Sequence, residues 1–166
     1  MTREPVARRP RLPDGYELPR EPADLLPWSR AVERLTSARN YWLATCRPSG
    51  APHTTPLWGV WLDGALYLDG PHGTRWGRNI AANPQVSVHL ESAEDALIVE
   101  GVARFGVTDD ELGQRIADLW DGKYGEFVPA AAADGIFSVS PRRARAWHEN
   151  PFDGTVWTFT DHRAEE

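Results

Sequence analysis

Cysteine is nearly absent from this chain of 166 residues, and the sequence also lacks a membrane-spanning segment and a secretory signal. Cys46 is the only cysteine, so no disulfide can form within the chain, and its position in a predicted strand favours a small buried side chain over a nucleophile. No segment approaches the ~20 continuous apolar residues of a membrane-spanning helix. The first residues lack the apolar core of a secretory signal, which predicts a cytoplasmic protein.

An excess of positive charge is missing too. The formal net charge is −6 and the pI is near 5.4. Nucleic acids and anionic membranes need a basic patch on their protein partner, so we expect neither as a partner. Almost all of the cationic side chains are arginines, and Lys123 is the only lysine.

Motifs for metal binding and for nucleophilic catalysis are also lacking. The five histidines have no metal-ligand spacing with one another or with Cys46, and the chain has no HExxH helix. It has no GxSxG elbow either. The sequence therefore predicts no metal and no catalytic side chain, with His53 and His72 as candidates for a supporting role.

The beginning of the chain is rich in proline. Residues 1–27 contain six prolines among charged residues, a composition that cannot build a core by itself. We expect an extended arm that is either disordered or wrapped over a neighbouring subunit. The chain as a whole is 41% hydrophobic, which is enough for one packed domain, and we assign that domain to residues 28–166.

Residues 44–79 are the most informative stretch, because they predict three antiparallel strands that lead into a helix. Asp63 and Gly64 are typical of a two-residue hairpin turn. Thr74 stands where an N-cap hydroxyl is expected, and the helix should run to Asn83, before Pro84. Arg75 and Arg78 then fall in its first turn, at the positive end of the helix dipole, where cations are unfavourable.

A bound phosphate would account for these arginines. It could accept hydrogen bonds from the free N–H groups of the first turn and from both planar guanidiniums. The alternative is that Arg75 and Arg78 extend into water or pair with surface carboxylates. Both interpretations stay open on the sequence of this segment alone.

The preceding strand, predicted over residues 51–62, is irregular. Pro56 cannot donate to a ladder, and Gly59 is typical of a bulge or of a close backbone approach. A flat aromatic ligand lying against residues 53–57, with its phosphate at the helix start, would explain both irregularities. The alternative is that Pro56 only protects a sheet edge from aggregation.

The remaining segments predict more strands and two further helices. We expect a short helix at residues 28–38 and another that begins with a capping box of Thr108 and Glu111, places Leu119 in the core and ends before a loop at 123–126. Gly101 is the expected bulge of a long strand. The other strands are expected at 85–91, 96–105, 136–140, 143–148 and 155–159. Together these elements predict a mainly β (α+β) fold, a small antiparallel barrel with short covering helices.

The residues quoted above resemble the pyridoxamine 5′-phosphate oxidase-like split-barrel superfamily, whose members bind FMN or the deazaflavin coenzyme F420. The resemblance is carried by the HTTPLW strand, the Asp-Gly turn and the Gly-Thr-Arg-x-x-Arg-Asn helix start. It implies a homodimer with the cofactor between subunits. The implied cofactor contacts are His53, Thr54, Thr55, Pro56 and Leu57 along the ring, Leu68 and Asp69 on the next strand, and Thr74 and Arg75 at the phosphate.

Trp76 departs from the pattern, because family members usually have a lysine there as a second phosphate cation. Arg78, one helical turn from Thr74, is the candidate substitute. Trp76 itself is a candidate for stacking on a ligand ring or for closing the pocket. Trp157 is a candidate for reaching the ring from the other subunit, since aromatic residues are enriched at such interfaces.

The resulting hypothesis is an FMN- or F420-dependent oxidoreductase that transfers hydride to or from a small organic substrate. Two rival functions remain. In one, the same fold binds a planar ligand such as heme or biliverdin without catalysis, and Trp76 in place of lysine supports it. In the other, the barrel is a dimerising scaffold whose arm recruits a partner.

Overall fold

The computed structural model describes residues 4–15, 24–106, 109–125, 136–148 and 153–160. These residues form nine strands in one antiparallel sheet and three helices, a mainly β split barrel as predicted. The strands are β1 (Val6–Arg8), β2 (Tyr41–Cys46), β3 (Pro52–Leu57), β4 (Gly59–Leu62), β5 (Ala65–Asp69), β6 (Gln85–His89), β7 (Ala96–Phe105), β8 (Ile136–Trp147) and β9 (Thr155–Thr158). The helices are α1 (Trp28–Ser37), α2 (Arg75–Ala82) and α3 (Asp110–Tyr124).

The sheet curls because β8 serves two sets of neighbours. Its strand order is β1-β9-β8-β7-β6-β2-β3, while β5 pairs with the first half of β8 and carries β4 on its other side. The core lies inside this curl, where alternate residues of β2, β6 and β7 meet α1 and α2. None of the described helices is long and apolar enough to cross a membrane.

The predicted two-residue turn at Asp63 and Gly64 is confirmed. Asp63 and Gly64 have φ values of 50° and 82°, which is the two-residue hairpin turn that joins β4 to β5. The Asp63 carboxylate also pairs with both terminal nitrogens of Arg115, at 2.6 and 3.1 Å. This ion pair fastens α3 to the hairpin and lowers the pKa of the Asp63 carboxyl.

The bulge at Gly101 is confirmed, but the strand break at Pro141 is wrong. The register of β7 and β8 shifts between Glu100 and Gly101, and Gly101 lies opposite Pro141. A Cβ on Gly101 would lie 2.5 Å from the Ser140 carbonyl oxygen, so only glycine allows this approach. Because Pro141 sits at the irregularity, β8 continues through it as one strand from Ile136 to Trp147.

The third helix differs from its prediction at both ends. Asp109 is the N-cap, and its carboxylate accepts a hydrogen bond from the Leu112 N–H at 2.7 Å. The predicted cap Thr108 lies outside the described residues. The helix continues through Lys123 and Tyr124 to a left-handed Gly125, so the predicted loop at 123–126 is wrong where it is described. Leu119 is 41% exposed and is not a core residue.

The first strand is a feature that the sequence did not predict. Val6–Arg8 pairs antiparallel with β9 of the same chain, and the Leu26 N–H donates to Thr155 Oγ1 at 2.9 Å. These parts of the proline-rich segment therefore lie on their own domain. Tyr16 and Leu18, two apolar residues of this segment that could anchor an arm, fall outside the described residues, and the proposed boundary at residue 27 stays a prediction.

Two polar residues at the end of α3, Lys123 and Tyr124, make hydrogen bonds to Gly59, where the chain passes from β3 to β4. The Lys123 ammonium donates to the Tyr41 hydroxyl at 2.8 Å and to the Gly59 carbonyl at 2.9 Å, and the Gly59 N–H donates to the Tyr124 hydroxyl at 2.9 Å. A Cβ on Gly59 would lie 2.7 Å from the Tyr67 carbonyl oxygen, which confirms the predicted close approach. Burial lowers the pKa of Lys123 to about 8 and raises that of Tyr41 above its ordinary range.

We expect the free energy of unfolding to rise between pH 8 and pH 10. In this window the unfolded chain still holds the Lys123 proton, with a pKa near 10.4, whereas the folded chain has released it. Because the pKa of Tyr41 is raised in the folded chain, this residue lowers the free energy of unfolding only above about pH 10, where tyrosine ionises in the unfolded chain. Urea unfolding at several pH values measures the effect. Lys123→Met is the reference, and parallel pH profiles for the two proteins would contradict the expectation.

Candidate functional site

The N-terminus of α2 is built as predicted. Thr74 Oγ1 accepts a hydrogen bond from the Gly77 N–H at 3.0 Å, and the Thr74 N–H donates to the Pro71 carbonyl at 3.0 Å. A Cβ on Gly77 would lie 2.6 Å from the His72 carbonyl oxygen, so glycine is required for this tight approach. The cap leaves the N–H groups of Arg75 and Trp76 without an acceptor inside the helix.

The two arginines of this turn differ in their surroundings. Arg75 is exposed, and its side chain has no hydrogen bond or ion pair among the described residues. The Arg78 guanidinium donates to the Gly73 carbonyl, so it folds back over the loop that precedes the helix. A Cβ on Gly73 would meet no atom within 4 Å, and the first turn contains no acidic residue. The described part of the chain therefore shows no carboxylate that neutralises this corner.

Two buried polar residues couple α2 to β3. Asn79 is 3% exposed, and its Nδ2 donates to Thr45 Oγ1 on β2 at 2.9 Å. The Thr45 hydroxyl in turn donates to the His53 carbonyl at 3.4 Å. Sequence reasoning missed both residues, although a polar Asn79 beside Ile80 on the apolar face of the helix was a usable signal. The start of α2 is thereby held in a fixed position relative to β3.

Residues 53–57, which are predicted to contact the cofactor ring, point alternately to the two faces of β3. His53, Thr55 and Leu57 are half-buried, and His53 is the cross-strand partner of Thr45, so these three side chains lie on the face that α2 covers. Thr54 and Pro56 are exposed on the opposite face. The Nδ1 atom of His53 is buried and has no hydrogen-bond partner among the described residues.

Strand β5 ends at Asp69 and places Leu68 in the core. Leu68 is fully buried, so a ligand could meet only its backbone, and the approach of Leu68 to the ring stays a prediction. Asp69 is half-buried at the end of the strand, where burial raises the pKa of its carboxyl and the Gly70 N–H partly offsets the shift. His72 stacks on Phe105 with ring centroids 3.7 Å apart, which holds the loop between β5 and α2.

Trp76 and Trp157, the two tryptophans that the sequence suggests for ligand contact, are core residues. Trp76 is 5% exposed and packs against Phe137, with ring centroids 4.5 Å apart, so it neither stacks on a ligand nor closes a pocket. Trp157 is 1% exposed and packs edge-on against Trp28 at 5.3 Å. Its indole is enclosed by its own chain and cannot reach a second subunit, so we leave it out of the candidate site.

These features fit a phosphate and a planar group beside it. The corner at Gly73 offers open space, two free N–H groups and an arginine without a partner in the described part of the chain, all suited to an oxyanion. The buried His53 Nδ1 is an unsatisfied group on the adjoining face of β3. Among the described residues, no three metal-ligating side chains gather in one place.

Comparison with solved structures places the fold among several relatives. A conserved hypothetical protein from Mycobacterium tuberculosis is 23% identical, with a TM-score of 0.63 over 80% of this chain and 89% of its own. An F420 reductase is 24% identical, with a TM-score of 0.53 over 80% and 98%. HutZ, the heme storage protein from Vibrio cholerae, is 22% identical, with a TM-score of 0.57 over 72% and 91%. At such identities the likeness shows the fold alone.

Comparison with curated proteins finds no match. The family model described as Pyridoxamine 5'-phosphate oxidase matches residues 28–148. This range begins with α1, contains the whole path from β2 to α2 and ends just beyond β8. Since the match spans most of the chain and agrees with the fold, this protein belongs to the pyridoxamine 5′-phosphate oxidase family.

Proposed function

We propose that this protein is an oxidoreductase that uses FMN or coenzyme F420 to transfer hydride to or from a small organic substrate. The observation that carries the proposal is the N-terminus of α2, where free N–H groups and the partnerless Arg75 lie beside open space. This arrangement suits the phosphate that both cofactors contain.

Each part of the corner has a separate task. Arg75 and the N–H groups of Arg75 and Trp76 hold the phosphate, while Arg78 fixes the Gly73 carbonyl and has further N–H donors to offer. The half-buried face of β3 at His53 and Thr55 orients the ring. When bound, FMN or F420 supplies the hydride chemistry, so the chain needs only to position the ring and exclude water.

We propose in addition that the protein forms a homodimer through the outer face of its sheet. The outer face of the sheet carries half-buried apolar and aromatic side chains: Trp42 stacks on His89 at 6.2 Å, with Ile98 paired to His89 on the next strand. Aromatic residues at such a surface suit a subunit interface. Sedimentation of the purified protein tests the proposal, and a monomer at all concentrations would rule it out.

The direct test of the function is cofactor binding. The purified protein is titrated with FMN and with F420, and binding is followed by visible absorbance and fluorescence. We expect one of them to bind at micromolar concentration. If neither binds at tens of micromolar, the oxidoreductase proposal fails.

The double change Arg75→Gln, Arg78→Gln is expected to weaken cofactor binding at least tenfold. Charged hydrogen bonds contribute about 1.5–3 kcal/mol each, so losing one is enough for this effect. Arg75→Gln alone should account for most of it, because Arg78 also serves the Gly73 carbonyl. The control is Arg104→Gln, which removes an exposed arginine from β7. Unchanged affinity in the double variant would remove both residues from the site.

A non-catalytic function on the same fold is the second candidate. Its specific support is Trp76, a buried residue at the position where family members usually have a phosphate-binding lysine. The structural neighbour HutZ is a heme storage protein. Spectral titration with heme and with biliverdin separates the two functions: tight binding of either, with no binding of FMN or F420, would favour the planar-ligand binder.

A further inference from the structure

A cleft of about 630 Å³ lies where residues 8–12 cross the outer surface of β8 and β9. Four arginines line it: Arg8, Arg11, Arg143 and Arg145. It shares no lining residue with the corner at the start of α2. Its volume is in the range of small-molecule sites, about 300–1,000 Å³.

The strand register explains why these arginines converge. Arg8 and Arg145 are both cross-strand partners of Val156, so the three side chains share one face of the sheet. Arg143 is two residues before Arg145 on the same strand and therefore points to the same side. Arg11 follows β1 across this face.

The positive charge in the cleft is only partly compensated. Arg145 pairs with the Glu100 carboxylate. The side chains of Arg8, Arg11 and Arg143 have no ion pair within the described part of the chain. Asp153, beside the lining residue Gly154, directs both carboxylate oxygens to the His148 N–H at 3.0 Å. Three of the four guanidiniums in this cleft therefore have no ion pair in the described structure, although the net charge of the protein is −6.

Two buried donors point to a missing acceptor. The Nε atoms of Arg143 and Arg145 are shielded from solvent and make no hydrogen bond in the described structure. Buried polar groups in folded proteins almost always have a partner. The rest of the lining includes the apolar surfaces of Leu12, Trp147 and Val156, against which an organic group can pack.

We propose that this cleft is a second anion site, which binds a small organic molecule carrying at least two phosphate or carboxylate groups. Planar guanidiniums bind either group through paired hydrogen bonds. Two such groups would satisfy the arginines that lack an ion pair, and the organic part would cover the apolar lining. The cleft lies apart from the proposed cofactor corner and borders the proposed dimer surface, because Arg145 is the cross-strand partner of Ile98.

Isothermal titration of the whole protein at low salt tests the site, with inorganic pyrophosphate and citrate as probes. We expect at least one probe to bind with a dissociation constant below about 1 mM. Tighter binding of pyrophosphate identifies phosphate esters as the ligand class, and tighter binding of citrate identifies polycarboxylates. If neither binds, the proposal is overturned.

Two variants locate the binding. Arg143→Gln and, separately, Arg11→Gln are expected to weaken the preferred probe at least tenfold; Arg11 lies outside the strands, so its variant keeps the sheet intact. The control Arg104→Gln, which removes an exposed arginine that does not line the cleft, should leave the affinity within twofold of wild type. If both cleft variants bind as wild type does, or if Arg75→Gln abolishes binding, the anion sits elsewhere. Loss of the dimer in Arg143→Gln without anion binding would assign the cleft to a subunit interface instead.

Discussion

Replacement of Trp76 by lysine is expected to destabilise the fold by at least ~3–5 kcal/mol rather than to restore a second phosphate cation. The indole fills a buried position against Phe137, so truncation leaves a cavity there. The introduced ammonium would also be buried against the Phe137 ring, which adds to the cost. Urea unfolding of Trp76→Lys against wild type measures the loss.

The matched controls separate burial from charge. Leu119→Lys adds the same side chain at an exposed position of α3 and should change stability by less than about 0.5 kcal/mol. Trp76→Phe keeps an aromatic ring and should lose less than the lysine variant. A stable Trp76→Lys protein that binds FMN or F420 more tightly than wild type would show that α2 can rotate to present this position, contrary to the structure.

The predictions that proved correct depend on short stretches of sequence. The Thr74 cap, the Asp63-Gly64 turn and the Gly101 bulge each follow from what a few neighbouring residues permit in the backbone. The start of α2 was for this reason the most predictable part of the site. Its exposure and its free N–H groups follow from the same local rules.

The predictions that failed depend on contacts between distant segments. Helical spacing places Trp76 in the first turn of α2 but does not state which side of the helix faces Phe137, some sixty positions later. Pro141 reads as a strand break until the bulge opposite it is known. The burial of Trp157 follows from its contact with Trp28 at the other end of the chain. No local pattern contains this information.

The hydrogen bonds that connect the start of α2 to the barrel also depend on contacts between distant segments. Asn79, Thr45 and His53 lie on three separate elements, and only the folded chain shows that hydrogen bonds connect them. The Arg-lined cleft also needs the pairing of β1 with β9, which composition does not reveal. The sequence therefore predicted the start of α2 well, and only the structure shows the supporting residues and the second cleft.

Gly70→Ala is expected to cost about 3–5 kcal/mol, although it adds a single methyl group. Gly70 has φ of 152°, in a region that residues with a side chain rarely adopt. A Cβ there would lie 2.2 Å from Cζ2 and 2.8 Å from Cη2 of Trp76. That ring cannot withdraw without disturbing Phe137, so the overlap must move the start of α2.

Two further variants determine where the cost arises. Gly73→Ala adds the same methyl group to open space three residues later and should leave the free energy of unfolding within about 1 kcal/mol of wild type. Trp76→Phe removes the two ring atoms that the new methyl group meets, so Gly70→Ala should cost less in that background than alone. Additive effects would contradict this coupling. Since Gly70 precedes α2 and Trp76 lies in its first turn, a positive coupling energy would show that this packing contact stabilises the attachment of α2 to the barrel.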